Sequence, residues 1–497
     1  MVFLRNSLNK VLFVVGCGLL LFTAGCGNGN GGLIQSGGTF SAASLNGRYT
    51  FQVSGIDLVG FFQEAGTFVA DGNQNITSGS DDLMRGGALS TSSISGTYQV
   101  FSDGTGFINL NSSGRALQLA ITMVTPSKVY LVVSAEALAS VVSANGYGLA
   151  LKQDSSAFTA PPSGTFAFRV HTKNPNQGEV SARVGAMTIT GGGATGAEDV
   201  NLSGTVSQQD ITGGTFGFPD ADGRGGAFLI DDTGTTNYLY YVVDAGHFFL
   251  LSTDSGILGA GQADVQSGGP FSPASLSGSY AFGARGDTGA NFNGADVVGR
   301  FTADGLGGIT AGAFDSSEDG NPSNNVAFTG AVNSLSGPGR AAISLSETMG
   351  GGSGLILWMV SPSRAFFLIS SASVVEDGTM DLQQLSSFAD SSMHGQFALV
   401  MDGFDGSGFA LDRVGTLNWD GNGGLTLNEF VNSGGITNAP GLLGGSYQTN
   451  PNGRITGTLS GISNAVVFYA ITPTDAYYLL NDPGVVISGT MSKQVQP

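Results

Sequence analysis

Histidine is the side chain best suited to acid–base chemistry near neutral pH, and this chain has three. His171, His247 and His394 occupy no equivalent positions in the repeats described below. A lone histidine in an apolar strand, such as His247, is more often packed or exposed than catalytic. The stretch Gly406-Ser407-Gly408 is typical of a turn and lacks the pattern of a nucleophile elbow. The sequence therefore predicts that the chain is not an enzyme.

Aspartate followed by glycine recurs along the chain, and this dipeptide suits both tight turns and calcium loops. It is found at Asp71-Gly72, Asp103-Gly104, Asp222-Gly223, Asp304-Gly305 and Asp420-Gly421. Asp220 and Asp222 resemble a fragment of a calcium loop, with Asp231 where a glutamate would complete the ligand shell. Since Asp-Gly is also a favoured hairpin turn, turns are the preferred interpretation. Ca²⁺ at Asp220 and Asp222 is the secondary one, and no other cofactor is predicted.

Adjacent acids could supply the paired carboxylates of a glycosidase, which must face each other across a cleft. Asp81-Asp82 and Glu318-Asp319 are neighbours in sequence, and in a strand they would point to opposite faces. We expect both pairs in polar loops, as solvated charges. The stretches 191–193 and 350–352 are all glycine but lack the Lys-Ser/Thr of a phosphate loop, which indicates flexible loops.

The elements that would position such residues are organised as a fourfold repeat. Four similar segments begin around Gly47, Gly164, Gly278 and Gly395, which are spaced 117, 114 and 117 residues apart. A second landmark is a proline turn inside an apolar segment. It is found at Pro126, Pro362 and Pro473, with Asp244 at the corresponding place in the second unit. Two markers in register establish the repeat.

Each unit of about 115 residues has the pattern of a run of short strands. In the first unit, Tyr49, Phe51 and Val53 alternate with Thr50 and Gln52, which places the aromatic rings on one face. About eight such strands joined by tight turns, with no crossover helix, predict an antiparallel meander. Closure into a barrel removes exposed edges, so the fold class is all-β with four barrel-like repeats, and a β-sandwich is the alternative. The Gly-x-Tyr-x-Phe start is similar over a few residues to the first strand of lipocalin- and avidin-like barrels, and this resemblance favours the barrel.

The strands around the proline turns are apolar on both faces. Examples are 238–243 with 248–251 and 355–360 with 366–369. A strand with one solvated face should alternate, so the outer face must be covered, and a neighbouring repeat is the simplest cover. Tyr240, Tyr241 and Trp358 could stack on sugars, but their place in these strands favours core or inter-repeat packing. We expect the repeats to pack in pairs or in a compact array.

Composition and charge exclude several classes of protein. The chain has 497 residues, 81 of them glycine, and 11 % are charged, which argues against coiled coils, helical bundles and charge-driven disorder. The formal net charge is −19, and no basic patch is evident in the sequence. Such a surface repels phosphate backbones, so nucleic acid is not an expected partner.

The first 25 residues have the pattern of a secretory signal. Arg5 and Lys10 precede an apolar run from Val11 to Phe22, and Thr23-Ala24-Gly25-Cys26 follows. This ending resembles the lipobox of bacterial lipoproteins, which implies that Cys26 is acylated and anchors the chain in a membrane. Gly27 after the cysteine implies the outer membrane or cell surface.

These observations predict a leader at 1–25, a tether at 26–43 and β-repeats at 44–160, 161–270, 271–388 and 389–497. A duplicated enzyme would be expected to keep its acids and bases in several copies, and no repeated polar constellation is evident in the sequence. We therefore expect a non-catalytic, lipid-anchored structural, adhesive or binding module with a surface protein or glycan as partner. The alternative is a β-barrel protein that binds a small apolar ligand.

Overall fold

The computed structural model describes residues 39–112, 114–138, 144–288, 293–405, 407–439, 441–460 and 466–497. These residues form four closed antiparallel eight-stranded β-barrels in tandem, each of about 115 residues. The predicted all-β fold is confirmed, and the barrel is the correct alternative. Within these ranges, no helix has the length and apolar character that crossing a membrane would require.

The strand bounds are similar in the four barrels. Barrel 1 contains β1 (Asn46–Asp57), β2 (Phe61–Asp71), β3 (Asn75–Arg85), β4 (Ala88–Ser93), β5 (Ser95–Val100), β6 (Thr105–Ser112), β7 (Arg115–Thr125), β8 (Lys128–Leu138) and β9 (Ala144–Lys152). Barrel 2 contains β10 (Gly164–Asn174), β11 (Glu179–Thr190), β12 (Gly193–Leu202), β13 (Thr205–Ile211), β14 (Gly213–Phe216), β15 (Arg224–Asp231), β16 (Gly234–Asp244), β17 (His247–Ser252) and β18 (Leu258–Val265).

The second half of the chain repeats this order. Barrel 3 contains β19 (Ser277–Thr288), β20 (Asn293–Asp304), β21 (Gly308–Glu318), β22 (Asn321–Leu335), β23 (Arg340–Met349), β24 (Gly352–Ser361), β25 (Arg364–Ser371) and β26 (Val374–Leu382). Barrel 4 contains β27 (His394–Phe404), β28 (Leu411–Asp420), β29 (Gly424–Ser433), β30 (Ile436–Asn438), β31 (Leu443–Thr449), β32 (Arg454–Leu459), β33 (Val466–Thr472), β34 (Asp475–Leu480) and β35 (Val486–Lys493). Short 3-10 turns precede the barrels at Ala42–Ser44, Ser155–Thr159, Pro273–Ser275 and Asp390–Ser392.

Each barrel is a meander whose first strand pairs with both the second and the last strand. In barrel 1, β1 lies between β2 and β9, and β3 pairs back onto β2. The short strands β4 and β5 pair with opposite ends of β3 and act as one bent strand. In barrel 3, the 15-residue β22 takes their place. Barrels 1, 2 and 4 therefore have nine strands and barrel 3 has eight, but all four are the same closed barrel.

Aromatic side chains fill the barrel interiors, as the alternation in the first strand predicts. Tyr49, Phe51 and Val53 of β1 are fully buried, and the Tyr49 ring stacks on Phe68 with centroids 5.3 Å apart. The equivalent pair in barrel 3 is Tyr280 with Phe301, at 5.6 Å. Residues at i and i+2 share a face, so the residues between them point out of the barrel.

The four barrels form a closed ring, and apolar residues on their outer faces make four contact regions that we call seams. Barrel 1 packs on barrel 2 through a cluster that includes Met84 and Tyr241, and barrel 2 packs on barrel 3 through a cluster around Trp358. Similar clusters join barrel 3 to barrel 4 and barrel 4 back to barrel 1. The predicted packing between repeats is thus confirmed. At each seam, one barrel contributes different strands from those that its neighbour contributes. Such head-to-tail contacts form a ring when the rotation from one unit to the next closes.

Candidate functional site

A cavity of about 380 Å³ lies between the four barrels. Its wall is built mainly from the first, second and last strands of the barrels, which face one another across the centre of the ring. Pockets that bind small molecules have volumes of about 300–1,000 Å³. The cavity is therefore large enough to hold a small ligand.

The first strand of every barrel contributes three outward-facing positions to this wall. They lie at positions +5, +7 and +9 from the first glycine of each repeat, between the residues that point into the barrel. The residues at these positions are Gln52, Ser54 and Ile56 in barrel 1, Arg169, His171 and Lys173 in barrel 2, Gly283, Arg285 and Asp287 in barrel 3, and Val400, Asp402 and Phe404 in barrel 4. The repeats are alike in fold, but these positions differ in every copy.

On the side of barrels 2 and 3, the charges of the cavity are paired. His171 Nδ1 lies 2.7 Å from Asp377 Oδ1, and His171 Nε2 lies 3.0 Å from Asp287 Oδ2. Arg169 donates to Asp377 at 2.9 Å, and Lys173 donates to Asp287 at 2.7 Å. Burial would lower the pKa of His171, but the two carboxylates outweigh it and raise the pKa to about 9. The imidazole is therefore cationic at neutral pH and bridges two carboxylates, which leaves neither ring nitrogen to act as a base.

On the side of barrels 3 and 4, carboxyl groups outnumber cations. Arg285 pairs with the Asp402 carboxylate and lies over the Tyr147 ring, 4.6 Å from its centroid. Burial raises the pKa of Asp296 to about 6 and that of Asp412 to about 7. Asp412 accepts a hydrogen bond from Asn145 Nδ2 at 3.0 Å.

The wall is accessible to solvent, because the side chains of Arg169, Arg285 and His171 remain 33, 28 and 23 % exposed. The alternation in the sequence places Thr50 and Gln52 on the face opposite to the aromatic rings, but alone it does not show that this face lines a cavity. The offset from the repeat glycine would have identified positions +5, +7 and +9 in all four units.

A glutamine at the end of each barrel ties it to the next barrel in the ring. Its side-chain amide donates to a buried main-chain carbonyl of the neighbour in every case. The four bonds are Gln153 to Val242 at 2.6 Å, Gln266 to Met359 at 2.7 Å, Gln383 to Ala470 at 2.7 Å and Gln494 to Met123 at 2.7 Å. The last bond joins the end of the chain to barrel 1 and closes the ring.

Three seams also contain a buried aspartate held by an arginine and an aromatic side chain. Asp199 accepts from Arg340 Nε and Nη2, each at 2.7 Å, and from Trp358 Nε1 at 2.9 Å. The corresponding groups are Asp82, Arg224 and Tyr241 between barrels 1 and 2, and Asp315, Arg454 and Tyr469 between barrels 3 and 4. The expectation that no polar constellation is repeated is therefore wrong. The repeated groups lie at the seams and hold barrel to barrel.

The fourth seam replaces this group with apolar contact. Phe430 occupies the strand position of the aspartate, and its ring lies 4.8 Å from that of Phe107. Thr105 and Thr122 pair where the other seams have the arginine and the aromatic residue. The seam that closes the ring is thus chemically distinct from the three between consecutive barrels.

The two adjacent acid pairs, Asp81-Asp82 and Glu318-Asp319, are predicted to lie in polar loops, and the structure differs from this prediction most clearly at the first pair. Asp81 and Asp82 lie in β3 and are 4 and 0 % exposed, so the expectation of a solvated loop is wrong. They point to opposite faces, as two adjacent strand residues must. Asp81 lies inside barrel 1 against Arg115 at 3.0 Å, and Asp82 lies at the seam. Such a pair cannot flank a glycosidic bond. Glu318 ends β21.

The other predicted residues are found apart from the cavity. His247 Nδ1 contacts the Asp264 carboxylate, and His394 is exposed at the start of β27. Tyr240 lies in the core of barrel 2, whereas Tyr241 and Trp358 lie at seams. The preference for packing over sugar stacking at these aromatic residues agrees with these positions.

The calcium candidates lie in the turn before β15. Asp220 Oδ1 accepts from the main-chain N–H groups of Asp222 and Arg224 at 2.8 and 3.0 Å, and Asp222 pairs with Arg48. Asp231 ends the eight-residue β15, about 25 Å along the chain at about 3.3 Å per residue. It therefore cannot complete a shell around Asp220. No group of three or more His, Cys, Asp or Glu side chains suited to a metal is found among the described residues. Ca²⁺ binding stays a prediction.

Cys26, the predicted lipidation site, lies outside the described residues, as do the leader and most of the tether. Acylation at Cys26 stays a prediction.

Comparison with known proteins gives a distant likeness in structure. No protein-family model matches the chain, and no curated protein matches it. Solved structures of transferrin binding protein B are similar over much of the chain. A double mutant of this protein from Haemophilus parasuis is 10 % identical, with 75 % of this chain and 84 % of that chain covered and a TM-score of 0.20. The protein from serogroup B Neisseria meningitidis is 9 % identical, with the same coverages and a TM-score of 0.21.

The intact transferrin binding protein B with both lobes, Ap-TbpB, is 8 % identical, with 95 % of this chain and 98 % of that chain covered and a TM-score of 0.17. At such low TM-scores and identities, the likeness carries no argument about what this chain binds.

Proposed function

We propose that this protein is a non-catalytic, lipid-anchored binding module of the bacterial cell envelope. Its ring of four barrels serves as a rigid frame, and a small polar ligand binds in the cavity at the centre. The observation that carries this proposal is the divergence of positions +5, +7 and +9 of the first strands, which line the cavity.

The repeats supply their own internal comparison. Residues that hold the barrels together are alike in the copies: the glutamine is present at all four seams, and the Asp–Arg–aromatic group at three. At each of the cavity positions +5, +7 and +9, by contrast, the four barrels have four different residues. Position +7, for example, is Ser54, His171, Arg285 and Asp402. A frame needs repeated contacts, whereas one asymmetric ligand needs a wall that differs from side to side.

The barrel interiors favour this site over the alternative of an apolar ligand inside each barrel. In barrel 1, the space between Glu64, Asp81 and Arg115 is about 10 Å³, about enough for one water molecule. Arg115 donates to Glu64 at 2.9 and 2.7 Å inside this barrel, and Arg183 and Arg413 form ion pairs inside barrels 2 and 4. Buried ion pairs and packed rings are a poor environment for a second apolar molecule.

A cavity-filling substitution tests the binding site. We expect thermal-shift screening of wild type with amino acids, amines, sugars and dicarboxylates to find at least one polar compound that stabilises the protein saturably. Ser54→Trp, which places an indole in the cavity, should abolish that stabilisation. Ser90→Trp on the exposed strand β4 of the same barrel is the matched control and should retain it. Stabilisation by the apolar dye 1-anilinonaphthalene-8-sulfonate alone, or an unchanged response in Ser54→Trp, would contradict the proposal.

A second experiment tests the anchor. Bacteria expressing the chain are labelled with radioactive palmitate, and the membrane fraction is separated. Label and membrane association should be present in wild type and lost in Cys26→Ser. The chain's other cysteine, Cys17, lies in the apolar run of the leader, and Cys17→Ser should keep both. Label in Cys26→Ser would refute the assignment. A surface protein or glycan as a further partner stays a prediction.

A further inference from the structure

The cavity wall where barrels 3 and 4 meet contains two buried polar atoms that have no hydrogen-bond partner in the described part of the chain. They are Asp296 Oδ2 in β20 and Ser488 Oγ in β35. The two residues are 4 and 2 % exposed. The Ser488 hydroxyl lies beside the Asp296 carboxyl and offsets part of the rise in its pKa, but neither atom has a further polar partner in the described part of the chain. Leaving buried polar atoms unpaired costs about 1–3 kcal/mol each, so native proteins rarely do so without a reason.

The charges around these two atoms favour a cation. On the side of barrels 2 and 3, the two carboxylates Asp287 and Asp377 bind the three cations Arg169, His171 and Lys173, so this side has one positive charge in excess. On the side of barrels 3 and 4, three carboxyl groups face one cation. These groups are Asp296, Asp402 and Asp412, with Arg285. A concave wall with an excess of one charge attracts ligands of the opposite sign.

The shape of the wall beside Asp296 suits a carbon chain. Phe404 lines the cavity next to Gly294, where an added Cβ would lie 3.4 Å from Phe404 Cδ2 and 2.8 Å from Val486 Cγ1. The glycine therefore leaves the Phe404 ring free of a competing side chain on this strand. An apolar surface next to hydrogen-bond acceptors is the usual composition of a ligand pocket.

Resting on the proposed function, we infer that the cavity binds an organic ammonium ion with at least two N–H groups. The ammonium donates hydrogen bonds to Asp296 Oδ2 and Ser488 Oγ, and its carbon chain packs on Phe404. Both orphan atoms accept hydrogen bonds, so a quaternary ammonium, which has no N–H, leaves them unpaired. A site built to form hydrogen bonds strongly rejects analogues that lack the hydrogen-bonding group.

Isothermal titration of the full chain in detergent at pH 7.5 tests this inference with four small probes. n-Butylammonium is the ligand, and tetramethylammonium, 1-butanol and butyrate are its quaternary, neutral and anionic counterparts. We expect one n-butylammonium per chain, bound at least tenfold more tightly than any of the other three. Asp296→Asn should weaken its binding at least tenfold and Ser488→Ala several-fold. Glu347→Gln, which removes an exposed charge from the same barrel, is the control and should leave binding unchanged.

The outcomes separate this inference from the proposed function. If 1-butanol, butyrate or tetramethylammonium binds as tightly, or if Asp296→Asn binds n-butylammonium as wild type does, the ammonium site is wrong, while a polar ligand in the cavity still stands. If no compound of the wider screen distinguishes Ser54→Trp from wild type, the cavity itself is not a binding site. Melting curves of each variant verify folding, and if Asp296→Asn does not fold, Ser488→Ala decides the question.

Discussion

Replacing Asp199 by alanine should open the seam between barrels 2 and 3. The carboxylate is fully buried and accepts three hydrogen bonds, two from Arg340 and one from the indole N–H of Trp358. Alanine leaves the Arg340 guanidinium, whose side chain is 21 % exposed, without its counter-charge and the indole N–H without an acceptor. We expect barrel 3, which contributes Arg340 and Trp358, to unfold at a lower urea concentration once this contact is lost.

The size of the effect follows from the loss of one partner of a buried ion pair. Such losses cost about 3–5 kcal/mol, mainly because the remaining charge is left unpaired. A barrel of about 115 residues is in the size range with a urea m-value of about 2 kcal/mol/M. The urea midpoint for unfolding of barrel 3 should therefore fall by about 1.5–2.5 M. Replacing Arg340 by methionine in the same variant should restore part of the loss, because no charge is then left unpaired.

Tryptophan fluorescence provides the assay. The chain has two tryptophans, and Trp419 lies in the core of barrel 4. In a Trp419→Phe background, Trp358 is the single reporter, and its emission moves to longer wavelength when the seam becomes wet. Asp210→Ala, an exposed aspartate of the same barrel, is the control. A midpoint for Asp199→Ala within error of the parent, or an equal fall for Asp210→Ala, would refute the role of the buried aspartate.

Three further predictions concern other parts of the ring. The pKa of His171 is about 9 in the folded protein and 6.5 ordinarily. The protonated imidazole therefore adds about 3 kcal/mol to the free energy of unfolding below pH 6.5, and this contribution is lost as pH rises through 9. His171→Gln should therefore show a smaller fall in Tm between pH 7 and 10 than wild type, and an equal fall would contradict this. Gln494→Ala should cost about 1–3 kcal/mol by leaving a buried carbonyl unpaired, and small-angle scattering should show a wider particle. Gln266→Ala should lower Tm similarly without widening the particle, because the chain still connects those two barrels. In Gly283→Ala the new Cβ would lie 2.6 Å from Tyr477 Cδ1, so Tm should fall by the equivalent of about 1–3 kcal/mol; an unchanged Tm would show that the seam adapts.

The barrels could be predicted from the sequence because their signals are local. The alternation of Tyr49, Phe51 and Val53 fixes which face of β1 is buried, and the interior of the barrel follows from it. The Asp-Gly turns are also local, since the Asp71 carboxylate accepts the main-chain N–H groups of Asn73 and Asn75 within the same turn. Repetition then extends one correct unit to four.

The seams could not be predicted in the same way, because their partners are far apart in sequence. Asp199 and Arg340 are separated by 141 positions, and nothing in either neighbourhood indicates the other. A signal did exist in the repeat register: the seam aspartates, Asp82, Asp199 and Asp315, are spaced 117 and 116 residues apart. Aligning the four units would have exposed this near-constant spacing. The sequence wrongly indicates a loop for Asp81 and Asp82, because adjacent charges are common in loops and uncommon on two buried faces of one strand.

Joining the four barrels in one chain explains how the cavity can have one acidic side. Four identical copies arranged in a ring would place the same residue four times at each level, and four copies of Asp402 would repel one another. In the single chain, position +7 is neutral in barrel 1, cationic in barrels 2 and 3 and anionic in barrel 4. Arg285 then pairs with Asp402 across one seam, and His171 pairs with acids across another. Most charges are thereby neutralised where barrels meet, and the carboxyl groups left over, Asp296 among them, are concentrated on one side of the cavity.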